Sequence, residues 1–142
     1  MQHISVPTVS PILNGSVPAL VTFLIDFTNA VLAAGTAVKK CTIRADTKNP
    51  VLIETSAEVI AVITGTAPQF TVGTTSANAN EILAAGDVTE ATPGFYPANN
   101  ALKRLRVTAD TAIWIKYVTG GGSAGGSANL MLRITPLAPI QT

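Results

Sequence analysis

The side chains with the greatest capacity for acid–base chemistry in this 142-residue chain are its carboxylates, which are few and widely spaced. They include Asp46, Glu54, Glu58, Asp87, Glu90 and Asp110. Glu54 and Glu58 could face each other across a sheet as an acid–base pair, although a solvated sheet face is the commoner setting for glutamate. Asp110 lies in the sequence VTADT, where an aspartate typically accepts hydrogen bonds from nearby backbone N–H groups of a turn. Nothing assembles a nucleophile, a base and an oxyanion site, so we expect that the protein is not an enzyme.

The chain has one thiol group and one imidazole group. Cys41 is the one cysteine, which excludes an intrachain disulfide, and free cysteine is usually a small buried residue. His3 is the one histidine and lies near the start of the chain, where ends are usually loose. One cysteine and one histidine cannot supply a zinc site of the usual composition. We therefore expect no metal and no cofactor.

Residues 120–126, GGGSAGG, have the glycine content of a phosphate-binding loop. That motif also needs a following Lys-Ser or Lys-Thr and a helix whose N-terminus faces the phosphate. Here the run is followed by Ser127, Ala128 and a strand-like segment. The pattern instead predicts the mobile tip of a β-hairpin.

A basic cluster is predicted from Lys103, Arg104 and Arg106, with Lys116 on the following strand. These residues are either ordinary solvated strand residues or a surface that docks on an acidic protein. Nucleic acid is a third alternative, but it would call for stacking aromatic residues or many more charges. The net charge of +1 gives no general reason to expect a nucleic-acid partner.

The segment that must position these groups covers residues 102–135. In residues 112–118, Ile113, Ile115 and Tyr117 alternate with Trp114 and Lys116. A second alternating run follows, in which Leu130, Leu132 and Ile134 share a face. Period-two alternation marks half-buried strands, so we predict that these two runs form a hairpin.

The rest of the chain predicts an all-β fold. Strand-like runs occupy residues 19–27, 37–44, 51–55, 58–64 and 68–73, with turn signals about every ten residues. Residues 78–85 could form two helical turns or belong to a long surface loop. Only 12% of residues are charged, against a usual quarter, and Thr, Ser, Asn and Gly make up the difference. We predict one antiparallel β-sandwich or jelly roll of about seven to nine strands.

The domain boundaries follow from composition. Residues 1–18 hold three prolines and no Lys or Arg, which predicts an extended N-terminal arm before a sandwich of residues 19–137 and a tail of residues 138–142. The arm is apolar, so we expect it to pack against its own domain or a neighbouring subunit. Residues 17–34 approach membrane-spanning length, but Asp26, Pro18 and Asn29 interrupt them, which favours a strand followed by a turn. No basic region precedes this run as in a secretory signal, so we expect synthesis in the cytoplasm without export.

Three segments carry a resemblance to a known group of proteins. They are KNPVLIETSAEVI at residues 48–60, FTVGTTSANANEILAAGDVTEATP at residues 70–93 and LRVTADTAIWIKYVTGGGSAGGS at residues 105–127. In these segments, about half of the chain, the protein resembles small capsid decoration (cement) proteins and head-fibre-like proteins of tailed bacteriophages. The shared motifs are strands and turns with no catalytic signature.

The resemblance implies a β-sandwich or jelly-roll protein that binds the outer surface of a phage capsid and stabilises the head. The partner would be the major capsid protein, and a homo-oligomer is expected, with a trimer favoured over a dimer. The candidate contacts with the capsid or a neighbouring subunit are Ile4, Val6, Val9, Ile12, Leu13, Lys103, Arg104 and Arg106. One alternative is a phage fibre or tail module that binds a host glycan through Trp114, Phe95 or Tyr96. Another is an accessory or carbohydrate-binding domain of a cellular enzyme.

Overall fold

The computed structural model of the protein describes residues 12–14, 18–28, 35–77, 79–84, 86–97, 104–121 and 125–138. Nine strands occur in this part of the chain. They are β1 (Ile12–Asn14), β2 (Ala19–Asp26), β3 (Ala37–Arg44), β4 (Val51–Thr64), β5 (Gln69–Gly73), β6 (Gly94–Tyr96), β7 (Arg104–Val107), β8 (Thr111–Val118) and β9 (Gly125–Pro136). Of the predicted arm, residues 12–14 form β1, and residues 1–11 and 15–17 lie outside the described residues.

The strands form two sheets that enclose one core. The four-stranded sheet has the order β1-β3-β8-β5. The five-stranded sheet has the order β2-β9-β4, and β4 then pairs with both β6 and β7 along its other edge. All pairings are antiparallel except that of β1 with β3, which is parallel.

The order of the strands is that of a jelly roll. Successive strands alternate between the two sheets from β1 to β6 and again from β7 to β9. From β2 onward, the orders β2-β9-β4-β7 and β3-β8-β5 match the two sheets of that architecture. Its remaining strand is reduced to one antiparallel bridge between Val72 and Leu83. The predicted antiparallel sandwich or jelly roll of seven to nine strands is confirmed.

Alternating side chains of the two sheets fill the core. On β8, Ile113, Ile115 and Tyr117 are buried, and on β9 Leu130 and Leu132 are fully buried. This confirms the faces predicted from the period-two pattern.

An aromatic cluster closes one part of the core between the sheets. The Phe27 ring contacts the Phe70 ring edge-on, with centroids 5.5 Å apart, and lies 5.3 Å from the Tyr117 ring. The Tyr117 hydroxyl donates a 2.6 Å hydrogen bond to the Thr64 carbonyl oxygen. Because a buried phenol needs a partner for its hydroxyl, this bond ties β8 to the end of β4 in the facing sheet.

The predicted hairpin of residues 102–135 is wrong. β8 lies in the four-stranded sheet and β9 in the five-stranded sheet, so the glycine-rich connection crosses between sheets. Its first residues pair with the neighbouring β4–β5 crossing, because Thr66 N–H donates to Gly121 and Gly120 N–H donates to the Thr66 carbonyl, both at 2.8 Å. Alternation identifies the buried face of a strand but not the strand beside it.

Two further local predictions are corrected. The two runs predicted at residues 51–55 and 58–64 are one strand, β4, whose inward side chains continue through Thr55 and Ala57. The helical alternative for residues 78–85 is wrong for the described residues 79–84, which form turns and the bridge at Leu83. Ile82 and Leu83 are both buried there, since this segment covers the free edge of β5. The loop alternative is the one observed.

The strand predicted at the start of residues 17–34 is confirmed as β2. No helix in the described part of the chain is long and apolar enough to span a membrane.

Candidate functional site

The outer face of the five-stranded sheet carries the most conspicuous surface of the described residues. β2 places Val21, Phe23 and Ile25 toward the core, so Leu20 and Leu24 point outward. They are 62% and 64% exposed. We call this surface the outer face, defined by Leu20, Leu24, Glu54, Ser56, Ile60, Phe95, Arg104, Met131 and Arg133.

Strand register arranges the outer face in rows. Leu20 lies opposite Arg133, and Arg133 lies opposite Glu54 on the next strand. Glu54 in turn lies opposite Arg104, which completes a row across four strands. Directly opposed residues of antiparallel strands point to the same side, so these side chains are neighbours.

A second row lies four residues further along the strands. It runs from Leu24 through Asn129 and Glu58 to Phe95. Phe95 is 58% exposed. With strands about 4.8 Å apart and a rise of about 3.4 Å per residue, the two rows enclose an area of roughly 14 by 14 Å.

Exposed apolar side chains concentrate on this sheet. Among the described residues, six large hydrophobic side chains are exposed, namely Ile12, Leu20, Leu24, Ile60, Val62 and Phe95. All except Ile12 belong to β2, β4 or β6 of the five-stranded sheet. Exposed apolar side chains gathered on one face are a feature of interaction sites.

An open groove runs between the two rows, with a volume of about 250 Å³. It is lined by Leu20, Glu54, Ser56, Phe95, Met131 and Arg133. The lining combines apolar side chains with one carboxylate and one guanidinium group, which suits a partner that offers apolar contact together with polar groups.

The charges on the outer face are partly paired within the protein. The Arg104 Nε lies 3.4 Å from Glu54 Oε2 in a solvent-exposed ion pair, and such pairs contribute little to stability. Glu58 Oε1 accepts a 3.0 Å hydrogen bond from Asn129 Nδ2. Arg106 donates to the Ala138 carbonyl oxygen at 3.3 Å, which fixes the chain after β9 against β7. Both glutamates lie on β4, so the acid–base pair across a sheet is excluded.

The predicted basic cluster is only partly assembled. Arg104 and Arg106 both point outward from β7 in the five-stranded sheet. Lys116 lies on β8 in the other sheet, so its expected place beside them is wrong. Lys103 lies outside the described residues.

The structure describes only some of the predicted contact residues of the arm. Ile12 on β1 is 61% exposed, whereas Leu13 packs against the core. Ile4, Val6 and Val9 lie outside the described residues and stay predictions.

The three aromatic residues considered for glycan binding are not brought together. Phe95 belongs to the groove, whereas Trp114 lies on β8 of the other sheet. The Tyr96 hydroxyl donates to the carbonyl oxygens of Thr89 and Thr92 at 3.0 and 2.7 Å, so this ring anchors the loop before β6. Of these three residues, Phe95 is the one whose exposed ring remains a candidate for stacking on a sugar.

The other candidate reactive groups have structural roles. Asp110 accepts a hydrogen bond from the Ala45 N–H at 3.0 Å, so its partner is distant in sequence and the expected local turn bond is corrected. Glu90 Oε1 accepts from the Phe70 N–H at 2.8 Å at the sandwich edge. Burial raises the pKa of the fully buried Cys41 thiol to about 12, which keeps it protonated and unreactive. Lys40 is half-buried, and desolvation lowers its pKa.

Within the described part of the chain, no three His, Cys, Asp or Glu side chains are close enough together to hold a metal ion. Sequence reasoning missed Leu20 and Leu24 because both lie in an apolar run, which usually indicates a buried segment. The available signal was that β2 is apolar on both faces, since a strand with one solvated face normally alternates with polar residues.

The fold and this surface define a jelly-roll sandwich with one sheet face on which exposed apolar side chains lie beside charged ones. Comparison of the chain with protein-family models, curated proteins and solved structures finds no match in any of the three.

Proposed function

We propose that this protein is a virion structural protein that binds the outer surface of a phage capsid and stabilises the head. The observation that carries the proposal is the outer face, where Leu20, Leu24 and Phe95 are each more than half exposed on a regular sheet. The sequence resemblance to decoration proteins supplies the partner, the major capsid protein. The outer face of the described residues is the docking surface in this proposal.

The composition of the outer face suits a protein partner. A standard protein interface buries about 800 Å² per partner around an apolar centre with a polar rim. The two rows from Leu20 to Phe95 span about 200 Å², in which the exposed apolar side chains of Leu20, Leu24 and Phe95 lie beside charged and polar ones. Arg133 and Arg104 belong to the first row, and their guanidinium groups favour an acidic surface on the partner.

Binding of this kind would stabilise a capsid by mass action. A ligand that binds only the assembled shell lowers its free energy by about 2.7 kcal/mol per site when its free concentration is 100 times the Kd. Many equivalent sites on one shell multiply this small contribution. A rigid sandwich is well suited to the role, because little conformational entropy is lost on docking.

The test is co-sedimentation of the purified protein with undecorated heads of its phage, followed by heating of the heads. We expect saturable binding of the wild-type protein and a higher temperature of head disruption. Phe95→Glu, which replaces the exposed aromatic ring of the outer face by a charge, should abolish both effects. Gln69→Glu adds the same charge at an exposed position of the four-stranded sheet and should leave both unchanged.

The contribution of the predicted arm is measured in the same assay by removing residues 1–11. Loss of head binding would support the predicted contacts of Ile4, Val6 and Val9, and unchanged binding would exclude them. Absence of wild-type binding to heads would contradict the proposed function itself.

A glycan-binding fibre or tail module is the second candidate. Phe95 supports it, because an exposed aromatic ring beside Glu54 and Arg133 in an open groove can stack on a sugar while the charged groups bind its hydroxyls. Binding of the wild-type protein to host cells, but not to heads, and its loss in Phe95→Glu would favour this alternative.

A further inference from the structure

The edge strand β2 has a free row of backbone hydrogen-bonding groups. It ends the five-stranded sheet, and no described residue pairs with its outer side. The Phe27 N–H donates to the Gly126 carbonyl at 3.1 Å, which continues the β2–β9 ladder beyond Asp26. Because hydrogen-bonded and non-bonded pairs alternate in an antiparallel ladder, Val21, Phe23 and Ile25 also bond to β9. The N–H and C=O groups of Leu20, Thr22 and Leu24 therefore point away from the sheet.

This edge lacks the features that usually protect a free strand. Natural edge strands carry lysine, proline, a bulge or a very short length, which prevent pairing with other chains. Residues 19–25, ALVTFLI, contain no charge, no proline and no glycine. The β2–β9 register shows no bulge. Pro18 and Asp26 limit the unprotected window to these seven residues, about 24 Å of strand.

We propose that β2 pairs antiparallel with β2 of a second copy of this chain, across a two-fold axis at Thr22. Within residues 19–25, the residues at equal distances on either side of Thr22 are both apolar. Leu20 would lie opposite Leu24 of the second copy, and Val21 opposite its Phe23. The Thr22 residues would face each other and exchange two backbone hydrogen bonds, as would each Leu20–Leu24 pair. Matched apolar and Thr–Thr pairs are favourable across strands.

A register with its two-fold axis one residue further along β2, at Phe23, is less favourable than the register centred on Thr22. An axis at Phe23 would place Leu20 opposite Asp26 of the second copy, and so would bring a carboxylate against an apolar side chain. With the axis at Thr22, Asp26 falls opposite Pro18, beyond the end of the bonded window. The carboxylate of Asp26 therefore disfavours the register centred on Phe23.

The paired strands would join two five-stranded sheets into one continuous sheet. This places the outer faces of the two copies side by side. The arrangement gives a dimer and not the trimer favoured by the resemblance. It concerns the protein alone and does not depend on capsid binding.

The test measures the mass of the full chain by light scattering and sedimentation equilibrium. We expect twice the chain mass of 14.6 kDa for the wild-type protein. Thr22→Pro removes an outward N–H without removing a bond to β9, and should give a monomer. Thr22→Val keeps the N–H and the β-branched shape, and should remain a dimer. Circular dichroism shows whether both variants are folded.

A charge exchange tests the register without changing the backbone. The double variant Leu20→Glu/Leu24→Glu places like charges opposite each other twice and should weaken the dimer by about 100-fold or more. The variant Leu20→Glu/Leu24→Lys removes the same apolar area but pairs opposite charges, and should bind within about 10-fold of the wild type. In both, the new glutamate lies opposite Arg133 of its own chain, so the effects on folding are matched at that position.

A monomeric or trimeric wild-type protein would overturn the proposal. So would two charge variants that dimerise equally, since that result would place the contact away from β2 or in another register. Because no capsid is present in these measurements, their outcome is separate from that of the proposed function.

Discussion

A methyl group added at Gly126 tests the close approach of β9 to β4. Gly126 has φ of +91°, a conformation that L-residues avoid. A Cβ built there would overlap the Val62 carbonyl oxygen and would lie 2.6 Å from its carbonyl carbon and 2.7 Å from Ile63 Cα. All three contacts are with backbone, so no side-chain rotation relieves them. Gly126→Ala must therefore move a strand.

The expected destabilisation follows from two contributions. The left-handed conformation costs about 1–2 kcal/mol for a non-glycine residue, and overpacking in a core costs about 1–3 kcal/mol. The sum is about 2–5 kcal/mol, a large part of the roughly 5–15 kcal/mol that stabilises a typical domain. For a urea m-value of about 2 kcal/mol/M, the midpoint of unfolding should fall by roughly 1–2.5 M.

Gly35→Ala is the matched control in the same urea titration followed by circular dichroism. Gly35 also has positive φ, +80°, but a Cβ there would meet no atom within 4 Å. It should lose only the conformational part, about 1–2 kcal/mol. If the two variants were equally destabilised, the close packing of Gly126 against β4 would be refuted.

The other predictions concern two threonine hydroxyls and the thiol of Cys41. Thr55 is fully buried and its hydroxyl has no partner among the described residues, so Thr55→Val should stabilise the protein by about 1 kcal/mol in urea unfolding. Thr119→Val should instead destabilise it, because the Thr119 hydroxyl bonds to the Thr66 and Gly121 carbonyl oxygens, and equal effects of the two changes would contradict this assignment. The pKa of Cys41 is raised from 9.0 to about 12 on folding, so the unfolded state loses its thiol proton first and stability should fall as the pH rises from 9 toward 12. Thermal unfolding of Cys41→Ala should lack that part of the decline, and an identical pH dependence in the two proteins would show that the thiol is not buried.

The buried faces of the strands were predictable from sequence, but their neighbours were not. The alternation of Ile113, Ile115 and Tyr117 gives the inward face of β8 whichever strand lies beside it. The pairing of strands depends on where the chain crosses from one sheet to the other. The glycine-rich connection before β9 is compatible with either a hairpin within one sheet or a crossing between the sheets. The crossing is favoured here because its backbone bonds to Thr66 in the adjacent crossing.

The candidate site was predictable only in part for a similar reason. Arg104 and Arg106 were identified from their spacing, and both lie on the five-stranded sheet. The row that joins Arg104 to Arg133 passes through β4, and no local pattern shows that β4 lies between β7 and β9. Leu20 and Leu24 were hidden in an apolar segment, because side chains of this type usually indicate a core.

Hydroxyl-radical footprinting of the protein on undecorated phage heads, read by mass spectrometry, measures directly which side chains the partner covers. The proposed function predicts protection of Phe95, Met131 and Leu20 in the bound state relative to the free protein. Trp114, on the outward side of the four-stranded sheet, should react equally in both states and serves as the internal reference. Protection of Trp114 with unchanged reactivity of Phe95 and Met131 would contradict the claim that the outer face of the five-stranded sheet is the capsid-binding surface.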